Sequence, residues 1–424
     1  MSLLQAIERS SYLVGGAVRD ELLGLDVTDR DYVVVGIDSE QMLAAGFSRV
    51  GKDFPVFLHP ETKDEYALAR KERKEGVGYG GFVCDFGTDV TLEEDLLRRD
   101  LTINAIAKSK DGHLVDPYGG TQDLKDKVLR HVSPAFVEDP LRVLRVARFA
   151  ARFKHLGFSV DTATLQMMTQ LSAGDELNSL TPERIWKEMA RALGEEVPSE
   201  YFRVLRGCGA LKVLLPEMDA LFGVPQTKHY HPEVDTGVHV LMSIDAARQH
   251  FNSELVTFCV VLHDLGKGIT PQEQWPSHRN HEVTGVPLVE AVCRRLRVPK
   301  DYLAMAKLVC EYHLKCHRVP EMKAGTILKL LQALDGFRRP ERVKQFAQAC
   351  ESDSRGRLGF EQRPYPQSAL LLGCLGAARS VSAKEYLEQG FKGLALAEKL
   401  TQGKVGVINQ YMRGEEAGLL LAQC

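Results

Sequence analysis

The sequence predicts an α+β protein in which a small mixed β-sheet domain precedes a long, all-α region. Strand-like and helix-like segments alternate up to about residue 130. After residue 138, helical periodicity dominates to the end and is interrupted only by glycines and prolines. The chain has 424 residues, 44% of them hydrophobic, which is enough for roughly two to four domains with buried cores.

Charge and cysteine usage exclude several classes of protein. With 54 Lys+Arg against 57 Asp+Glu, the net charge of −3 excludes a uniformly basic nucleic-acid-binding protein but not a local basic face. The nine cysteines include no C-x2-C pair, which indicates reduced thiols rather than a disulfide framework or a thiolate zinc site. No apolar run approaches the roughly 18 residues of a membrane span, and no secretory signal is apparent. We therefore expect a soluble, cytoplasmic protein that does not bind a membrane.

Four apolar segments predict the strands of the sheet domain. They are residues 12–14, 32–35, 54–58 and 66–69. Thr91 and Glu94 form a possible capping box, which predicts a helix that runs to about Ala107. Residues 112–117 then predict one arm of a hairpin.

A glycine turn follows the first predicted strand and opens a helix. Gly15 and Gly16 allow backbone N–H groups to approach phosphate oxygens, and a helix N-terminus adds partial positive charge. Arg19 lies in the first turn of that helix, where its guanidinium could bind a triphosphate. A plain turn is the commoner explanation of a Gly-Gly pair alone, so the interpretation depends on the residues that follow.

Two aspartates stand two residues apart where the second strand begins. Asp29 and Asp31 therefore project from one face, and such close carboxylates repel unless a cation such as Mg²⁺ lies between them. The alternative is a polar strand entry neutralised by Arg30, but the glycine turn upstream favours the metal. Two-metal sites catalyse in-line phosphoryl displacement, here nucleotidyl transfer. Asp64 and Glu65 are both candidates for a third carboxylate.

A basic helix is predicted over residues 138–152. Its arginines fall on an arc of about 120° and are Arg142, Arg145, Arg148 and Arg152. Between residues 141 and 155 there are five Lys or Arg and no acid, and only Arg142 has acidic neighbours one turn back. Solvated helix faces usually interleave charge signs, so three arginines without partners indicate nucleotide phosphate or RNA backbone as a ligand. A merely solvated face is the alternative.

Four motifs in order resemble those of the class II tRNA nucleotidyltransferases, the CCA-adding enzymes, which share them with bacterial poly(A) polymerases. The motifs are Gly15-Gly16-x-Val18-Arg19-Asp20, Asp29-x-Asp31, Arg98-Arg99-Asp100-Leu101-Thr102-Ile103-Asn104-Ala105 and Glu138-Asp139-x-x-Arg142-x-x-Arg145. The match covers about residues 12–220. It implies a head with a five-stranded nucleotidyltransferase sheet, followed by neck, body and tail helices that hold the tRNA acceptor arm.

The resemblance also implies roles for individual residues. Asp29 and Asp31 would be catalytic and hold Mg²⁺. The residues that would contact the incoming CTP or ATP are Gly16, Arg19, Arg99, Arg145 and Arg148. Asp139 and Arg142 would read the base, since a carboxylate accepts from the exocyclic amino group of cytosine or adenine and an arginine donates to the ring nitrogen. An ordinary i,i+3 surface pair is the alternative for these two residues.

Histidines are concentrated in the helical region. Nine of the 13 lie between His229 and His317, around a His263-Asp264 dipeptide that closes an apolar segment. Imidazoles and carboxylates together suit a divalent transition metal. The arrangement resembles the HD superfamily of metal-dependent phosphohydrolases. By that resemblance the ligands are His239, His263, Asp264, His281, His313 and, as a candidate for the distal aspartate, Asp353. We interpret His229, His231 and His278 as loop or surface residues.

Together the resemblances imply a CCA-adding enzyme with an attached HD domain. The expected divisions are a head at 1–137, a neck and body at 138–225, an HD domain at 226–340 and a helical tail at 341–424. The HD domain would hydrolyse a phosphoester such as a 2′,3′-cyclic phosphate or a 2′-nucleotide. The family connects this activity with nickel, although the residues do not select nickel over manganese or cobalt.

Two rival functions stay open at this point. A bacterial poly(A) polymerase has the same four motifs, but it typically carries a basic C-terminal extension, and residues 415–424 contain no basic residue. An HD hydrolase whose head only binds RNA would not need Asp29 and Asp31. The expected partners are tRNA, CTP and ATP, and the chain could be a monomer or a homodimer.

Overall fold

A seven-stranded mixed sheet forms the centre of the N-terminal region in the computed structural model, which describes residues 2–50, 55–74 and 82–422. Its strands are β1 (Ser11–Val14), β2 (Asp31–Val34), β3 (Ser48–Val50), β4 (Val56–Leu58), β5 (Glu65–Leu68), β8 (Ala107–Ser109) and β9 (Leu114–Val115). Their order is β3-β4-β5-β2-β1-β8-β9, in which β2 and β5 are parallel and the other neighbours antiparallel.

Two further pairs of strands lie outside this sheet. An antiparallel ribbon is formed by β6 (Lys71–Lys74) and β7 (Phe82–Asp85), and a short parallel pair by β10 (Val128–Leu129) and β11 (Ser159–Val160). The helices of the head are α1 (Leu3–Arg9), α2 (Gly16–Leu22), α3 (Ser39–Ala44), α4 (Leu92–Leu97) and α5 (Gly120–Asp126).

The predicted strands are present, and the count of five that the resemblance implied is wrong. Two very short strands at the edges, β3 and β9, extend the five inner ones. The hairpin predicted near residues 112–117 is the β8–β9 pair. Residue 54, the first of one predicted strand, lies outside the described residues.

Successive residues of the central strands project from opposite faces of the sheet, and each face is buried in its own hydrophobic cluster. Val33 packs in one hydrophobic cluster with Val14 and Leu96, whereas Val34 packs in another with Met42 and Phe57. This period-two pattern is why these apolar segments form strands. It also determines which face each polar residue at a strand end projects from.

The helix predicted from Thr91 to about Ala107 is wrong in its length. The capping box of Thr91 and Glu94 forms, but α4 ends at Leu97. Beyond it, Asp100 accepts the backbone N–H of Leu101 at 2.8 Å, a local bond that competes with helix continuation. Leu101 then adopts an extended conformation and bridges to His131.

The rest of the chain is almost entirely helical, as predicted. The first helices of this part are α6 (Leu141–Phe153), α7 (Thr162–Ala173), α8 (Pro182–Leu193), α9 (Pro198–Gly207), α10 (Ala210–Leu214) and α11 (Pro216–Asp219). They are followed by α12 (Thr236–Phe251), α13 (Glu254–Leu262), α14 (His281–Arg295), α15 (Lys300–His317), α16 (Ala324–Ala333), α17 (Pro340–Arg355), α18 (Pro366–Arg379), α19 (Ala383–Glu388), α20 (Gly393–Arg413) and α21 (Glu415–Leu421). Among the described residues, none of the helices has the length and apolarity needed to cross a bilayer.

The chain folds into two compact units. The first comprises residues 1–188 and 203–213, and the second comprises residues 189–202 and 214–424. The sheet and the basic helix α6 belong to the first unit, and helices α12 to α21 belong to the second. Each unit contains one of the two candidate sites.

Candidate active site and candidate metal centre

The register of β1 against β2 places Asp31 beside the glycine turn. Val14, the last residue of β1, is the cross-strand partner of Asp31, and Gly15 follows it with a φ of 68°. Helix α2 then begins at Gly16. Asp29 and Asp31 are both exposed. Partial desolvation raises the pKa of Asp31, an effect that the charge of Arg99 opposes and the nearby carboxylate of Asp29 reinforces.

The register of β2 against β5 separates the two candidates for a third carboxylate. Glu65 is the parallel cross-strand partner of Asp31, so both side chains project from the same face of the sheet. Asp64 precedes Glu65 by one residue and therefore has the opposite orientation. Its carboxylate accepts a hydrogen bond from the Thr62 hydroxyl at 2.7 Å. Of the two candidates, Glu65 is therefore the one that shares the face of Asp31.

Arg99 lies directly over the glycine turn. A Cβ atom built on Gly15 would stand 2.9 Å from Arg99 Nη1. Arg99 Nη2 forms an ion pair with Asp95 at 3.3 Å, and its buried Nε has no hydrogen-bond partner. A residue larger than glycine at position 15 would thus displace a guanidinium that faces the turn.

The Arg19 guanidinium, which the sequence suggested was available for a triphosphate, is already bonded to neighbouring side chains. Its Nε donates to Asp20 at 2.8 Å and its Nη1 to Asn104 at 2.6 Å. The guanidinium also stacks on Phe149 and Phe153, with both ring centroids 5.1 Å away. Its Nη2 still comes within 3.4 Å of a Cβ built on Gly16. Arg19 therefore packs against the glycine turn at Gly16. A direct contact between Arg19 and a triphosphate stays a prediction.

The prediction that three arginines of α6 lack acidic partners is wrong. Arg145 Nε donates to Asp100 at 2.8 Å, and Arg148 Nε donates to Glu188 at 2.7 Å. Arg152 pairs in the same way with Asp20 at 2.9 Å. The acids come from distant parts of the chain, so a window along the helix could not show them.

The pKa of the Asp100 carboxylate is strongly shifted in this network. Burial disfavours its charged form, but Arg145 and a hydrogen bond from Asn104 outweigh that effect and hold the pKa below its usual range. The ion pairs reduce the excess positive charge on which the phosphate interpretation of α6 rested. The nucleotide contacts of Arg145 and Arg148 consequently stay predictions.

Asp139 and Arg142 are both anchored at the start of α6. Asp139 Oδ1 accepts the Leu141 N–H at 3.0 Å, and its Oδ2 accepts from Arg184 at 2.9 Å. The Arg142 guanidinium donates to the carbonyl oxygens of Ala135 at 2.8 Å and Arg98 at 2.7 Å. These bonds orient both side chains before any ligand arrives. Arg184, on α8, carried no signal in the sequence, because its partner lies 45 residues away.

Helices of the second unit bring the six predicted HD residues into one buried cluster. His239 lies on α12, His263 and Asp264 follow α13, and His281 begins α14. His313 lies on α15 and Asp353 on α17. Each of the six residues is at most 6% exposed. The α17 contribution comes from beyond residue 340, where the HD domain was expected to end.

The cluster divides into two groups of possible ligand atoms, each within 4.8 Å of one another. One group comprises His239, His263 and Asp353, with His239 Nε2 3.0 Å from Asp353 Oδ1. The other comprises Asp264, His281 and His313. Asp264 Oδ1 lies 3.2 Å from His281 Nε2 and 3.7 Å from His313 Nε2, and the two nitrogens are 3.4 Å apart.

The donor set fits a divalent metal. His263 Nε2 and Asp264 Oδ1 are buried without an aligned hydrogen-bond partner, which is costly unless an ion is bound. Burial opposes ionisation of Asp264, but His263 and Lys267 hold its pKa well below the usual range. Burial lowers the pKa of His313. An ionised carboxylate and a neutral imidazole are the states that bind metals.

Several residues around the cluster were missed by the sequence analysis. Glu233 Oε1 lies 3.0 Å from His239 Nδ1 and equally close to His231 Nδ1. His317 donates to Asp353 Oδ2 at 2.7 Å and contacts the Tyr365 hydroxyl at 2.8 Å. Such contacts orient metal ligands. No local motif marks them, and only the clustering of histidines between residues 229 and 317 hinted at His317.

The three histidines interpreted as loop or surface residues lie in loops, but two of them have shielded side chains. His278 is 2% exposed, and its Nε2 contacts the Pro225 carbonyl at 2.8 Å. His231 is half-buried, and burial lowers its pKa to about 4 despite the nearby Glu233 carboxylate. The possible ligand atoms of His231, Glu233 and His239 also lie within 4.8 Å of one another, which makes them a third group.

Three family models match successive parts of the chain. Residues 11–130 match the poly(A) polymerase head domain, and residues 236–348 match the HD domain. Residues 157–222 match a model described as a probable RNA and SrmB-binding site of polymerase A. The matches follow the order of the two candidate sites along the chain.

Curated relatives match nearly the whole chain. The multifunctional CCA protein of Hahella chejuensis is 54% identical over 418 residues, which cover 96% of this chain and 99% of that protein. The multifunctional CCA protein of Pseudomonas syringae pv. syringae is 57% identical over 400 residues, covering 94% of this chain and 98% of that protein.

Solved structures share the fold at low identity. The Thermotoga maritima CCA-adding enzyme complexed with tRNA matches with a TM-score of 0.63 and 20% identity, over 99% of this chain and 93% of that one. The Bacillus stearothermophilus CCA-adding enzyme in complex with CTP matches with a TM-score of 0.64 and 21% identity, over 99% and 96%.

Proposed function

The chain belongs to the family of the multifunctional CCA proteins, and on that premise we propose that it adds C, C and A to the 3′ end of tRNA without a nucleic-acid template. Its substrates would be CTP, ATP and immature or damaged tRNA. The family membership agrees with the resemblance found in the sequence. The observation that carries the proposal is the β1–β2–β5 register, which gathers Asp31 and Glu65 beside the Gly15 turn.

The carboxylates of the head would hold Mg²⁺. Asp29, Asp31 and Glu65 offer only oxygen atoms, which Mg²⁺ prefers, and their exposure leaves room for water and substrate phosphates. When bound, Mg²⁺ would activate the attacking hydroxyl of the RNA end and neutralise the leaving pyrophosphate. We propose Glu65, rather than Asp64, as the third carboxylate because it shares the face of Asp31.

The remaining head residues would bind and orient the nucleotide. The backbone at Gly16 opens α2 and would bind phosphate, with the Arg99 guanidinium beside the preceding Gly15. Arg19 would pack against the turn at Gly16 and hold it in place. Arg145 and Arg148, both on α6, would contact the phosphates. Asp100 accepts a hydrogen bond from Arg145 and Glu188 accepts one from Arg148, so the two guanidinium groups are held in position.

Asp139 and Arg142 would select the base. The Asp139 carboxylate would accept a hydrogen bond from the amino group of cytosine or adenine, and Arg142 would donate to the ring nitrogen. Uracil and guanine place a carbonyl oxygen against that carboxylate. Once the base covers the carboxylate, the missing hydrogen bond from the amino group would cost about 1–3 kcal/mol. The bonds from Arg184 and the Leu141 N–H hold the carboxylate in place for this role.

The second unit would act as a separate metal-dependent phosphohydrolase. His239, His263, Asp264 and Asp353, together with His281 and His313, would hold the metal, for which manganese, cobalt and nickel are all suitable. The substrate would be a 2′,3′-cyclic phosphate or a 2′-nucleotide. We also propose a four-part division at residues 137, 225 and 340, in which the tail contributes Asp353 to the HD cluster, and a cytoplasmic location.

Incorporation of labelled nucleotides tests the transferase. With CTP alone, tRNA that lacks its terminal trinucleotide should gain two cytidines, and ATP should then add one adenosine. The Asp31→Ala protein should lose both additions, whereas Asp111→Asn, which removes an exposed head carboxylate from a hairpin turn, should not. Long adenosine tails from ATP alone would instead identify a poly(A) polymerase. Incorporation that survives Asp31→Ala would remove Asp31 from the catalytic site, and no incorporation by the unaltered protein would leave the head as an RNA-binding module.

Hydrolysis of 2′,3′-cyclic nucleotides and 2′-nucleotides tests the second activity. The unaltered protein loaded with manganese, cobalt or nickel should release product, and His263→Ala should not. Equal hydrolysis by both proteins would place the activity outside the cluster.

A further inference from the structure

We propose that Arg357 binds the phosphate group of the phosphoester that the second unit hydrolyses. The inference deepens the phosphohydrolase proposed above and rests on it for the identity of the substrate. Arg357 lies just beyond the end of α17, four residues after Asp353. Three observations support this role: the fixed position of its backbone, the unused hydrogen-bond donors of its guanidinium, and its place at the edge of the buried cluster.

The backbone on both sides of Arg357 is fixed against residues next to the cluster. Gly356 packs so closely on α12 that an added Cβ would stand 2.0 Å from Ser243 Oγ. Ser243 lies one helical turn beyond the cluster histidine of that helix. On the other side, the Leu358 N–H donates to Glu233 Oε2 at 3.2 Å. These two contacts hold Arg357 beside the cluster.

The guanidinium of Arg357 lies next to the cluster without being bonded to it. Its Nη2 is 3.8 Å from Asp353 Oδ1, which is longer than a hydrogen bond. Its Nε is buried and, among the residues that the structure describes, has no hydrogen-bond partner. The Asp353 oxygens already contact His239 and His317, at 3.0 and 2.7 Å. Since a guanidinium has five N–H donors and a buried donor without a partner is costly, Arg357 is suited to a ligand.

Two other cations in this region are already satisfied by the protein. Arg355, in the last turn of α17, forms three hydrogen bonds of 2.8–3.0 Å with an acidic side chain and a loop carbonyl. The Lys267 ammonium donates to a cluster carboxylate and to a side-chain amide, both at 2.6 Å. Arg357 differs from both because its donors are available.

Solvent reaches the cluster on the side where Arg357 lies. The side chains of Arg357 and His317 are each 17% exposed, and that of His231 is 13% exposed. His263, in contrast, is 1% exposed. Arg357 and His317 both lie within 3.8 Å of Asp353, so this carboxylate marks the more open edge of the cluster. A substrate that arrives from solvent would meet Arg357 there.

Phosphate is the ligand that suits a guanidinium in this position. The planar group can donate two parallel hydrogen bonds to phosphate oxygens, and its positive charge complements the charge of a phosphoester. A phosphoester bound at the cluster would have non-bridging oxygens left for this contact. Arg357 would therefore bind and orient the phosphate group, while the histidines and aspartates hold the metal.

Kinetics and metal content of the full-length protein test this role together. We expect Arg357→Gln to raise the KM for adenosine 2′-monophosphate and for 2′,3′-cyclic AMP by about 10–100-fold, with kcat changed less than about threefold. Arg357→Lys should recover part of the loss, because it keeps the charge without the planar fork. Arg355→Gln is the matched control and should keep the KM of the unaltered protein.

A purely structural role for Arg357 predicts a different result. Loss of support for Asp353 would lower the Co²⁺ content, which inductively coupled plasma mass spectrometry measures after chelator treatment, reloading and desalting. We expect equal Co²⁺ content in the unaltered protein, Arg357→Gln, Arg357→Lys and Arg355→Gln. An unchanged KM in Arg357→Gln, or a fall in activity that follows a fall in Co²⁺ content, would overturn the proposal.

Binding of inorganic phosphate tests the contact without hydrolysis. Isothermal titration calorimetry of the Co²⁺-loaded proteins should show about 10–100-fold weaker phosphate binding in Arg357→Gln than in the unaltered protein or Arg355→Gln. Equal affinities in all three, or no binding by the unaltered protein, would overturn the proposal. Weaker binding in Arg357→Gln without hydrolysis of any phosphoester would remove the proposed phosphohydrolase and leave Arg357 as a phosphate ligand. Hydrolysis with equal phosphate affinities would do the reverse.

Discussion

The two candidate metal sites of this chain are built on opposite principles. The head site lies at the ends of adjacent strands, offers only carboxylates and is open to solvent. The second site collects imidazoles and carboxylates from five helical elements and buries them almost completely. An open oxygen site suits a hard ion that arrives with substrate phosphates, whereas a buried nitrogen-containing site suits an ion that stays bound. The contrast predicts different responses to mutation.

The largest effect should come from the third carboxylate of the head. We expect Glu65→Gln to lower kcat for CTP incorporation by about 100-fold, or about 2.7 kcal/mol, because it removes a charged oxygen ligand. Steady-state kinetics with trimmed tRNA measures the change. Asp64→Asn is the matched control, since this side chain projects from the other face, and it should stay within about threefold of the unaltered protein. Equal losses in the two variants would contradict the assignment made from the register.

The next largest effect should be on metal binding at the buried site of the second unit. Glu233→Gln should weaken metal binding by about 10–100-fold, because the carboxylate that orients His239 is lost. Competition with a chelating dye measures the affinity. Glu273→Gln, an exposed change in the same unit, provides the control. An unchanged affinity in Glu233→Gln would show that His239 needs no orienting carboxylate.

A smaller effect should appear in base selection. Arg184→Met removes the side-chain partner of Asp139 at 2.9 Å, so the carboxylate can turn away from the base. We expect the preference for CTP over UTP, expressed as the ratio of kcat/KM values, to fall about tenfold, or about 1.4 kcal/mol. Lys187→Met, on the exposed side of the same helix, should keep the preference. A uniform loss for both nucleotides would indicate a structural role only.

The smallest effect separates backbone strain from contact with Arg99. Gly15 and Gly24 have φ values of 68° and 69°, and Gly15 has a ψ of −128°, so alanine at either position should cost about 1–3 kcal/mol of unfolding free energy. Only at Gly15 would the added Cβ meet Arg99, while nothing lies within 4 Å at Gly24. A few-fold rise in the KM for CTP is therefore expected in Gly15→Ala alone. Similar KM values in both variants would remove Arg99 from the nucleotide site.

The same contrast explains what the sequence could and could not predict. The head motifs are local: a glycine pair after an apolar segment, and two aspartates before another, predict a turn and a strand entry that the structure contains. Strand register is not local, so the choice between Asp64 and Glu65 needed the pairing of β2 with β5. The early end of α4 likewise depends on tertiary contacts of Leu101, which pairs with His131.

Long-range pairing accounts for the remaining errors. The arginines of α6 looked unpartnered because their acids, Asp20, Asp100 and Glu188, lie 40 to 132 residues away. In the second unit, the resemblance to HD proteins identified six residues that the fold does bring together. His317 escaped notice because its partner Asp353 lies 36 residues away, and Glu233 because no local motif links it to His239, although only a short loop separates them.

The most direct test of the head site is the position of its ion. Crystals grown with Mn²⁺, a trimmed tRNA and a nonhydrolysable CTP analogue would reveal that position by anomalous scattering. We predict a peak about 2.0–2.3 Å from carboxylate oxygens of both Asp29 and Asp31, with the nucleotide phosphates on its far side. A bound nucleotide whose metal peak lies away from both aspartates would contradict the account.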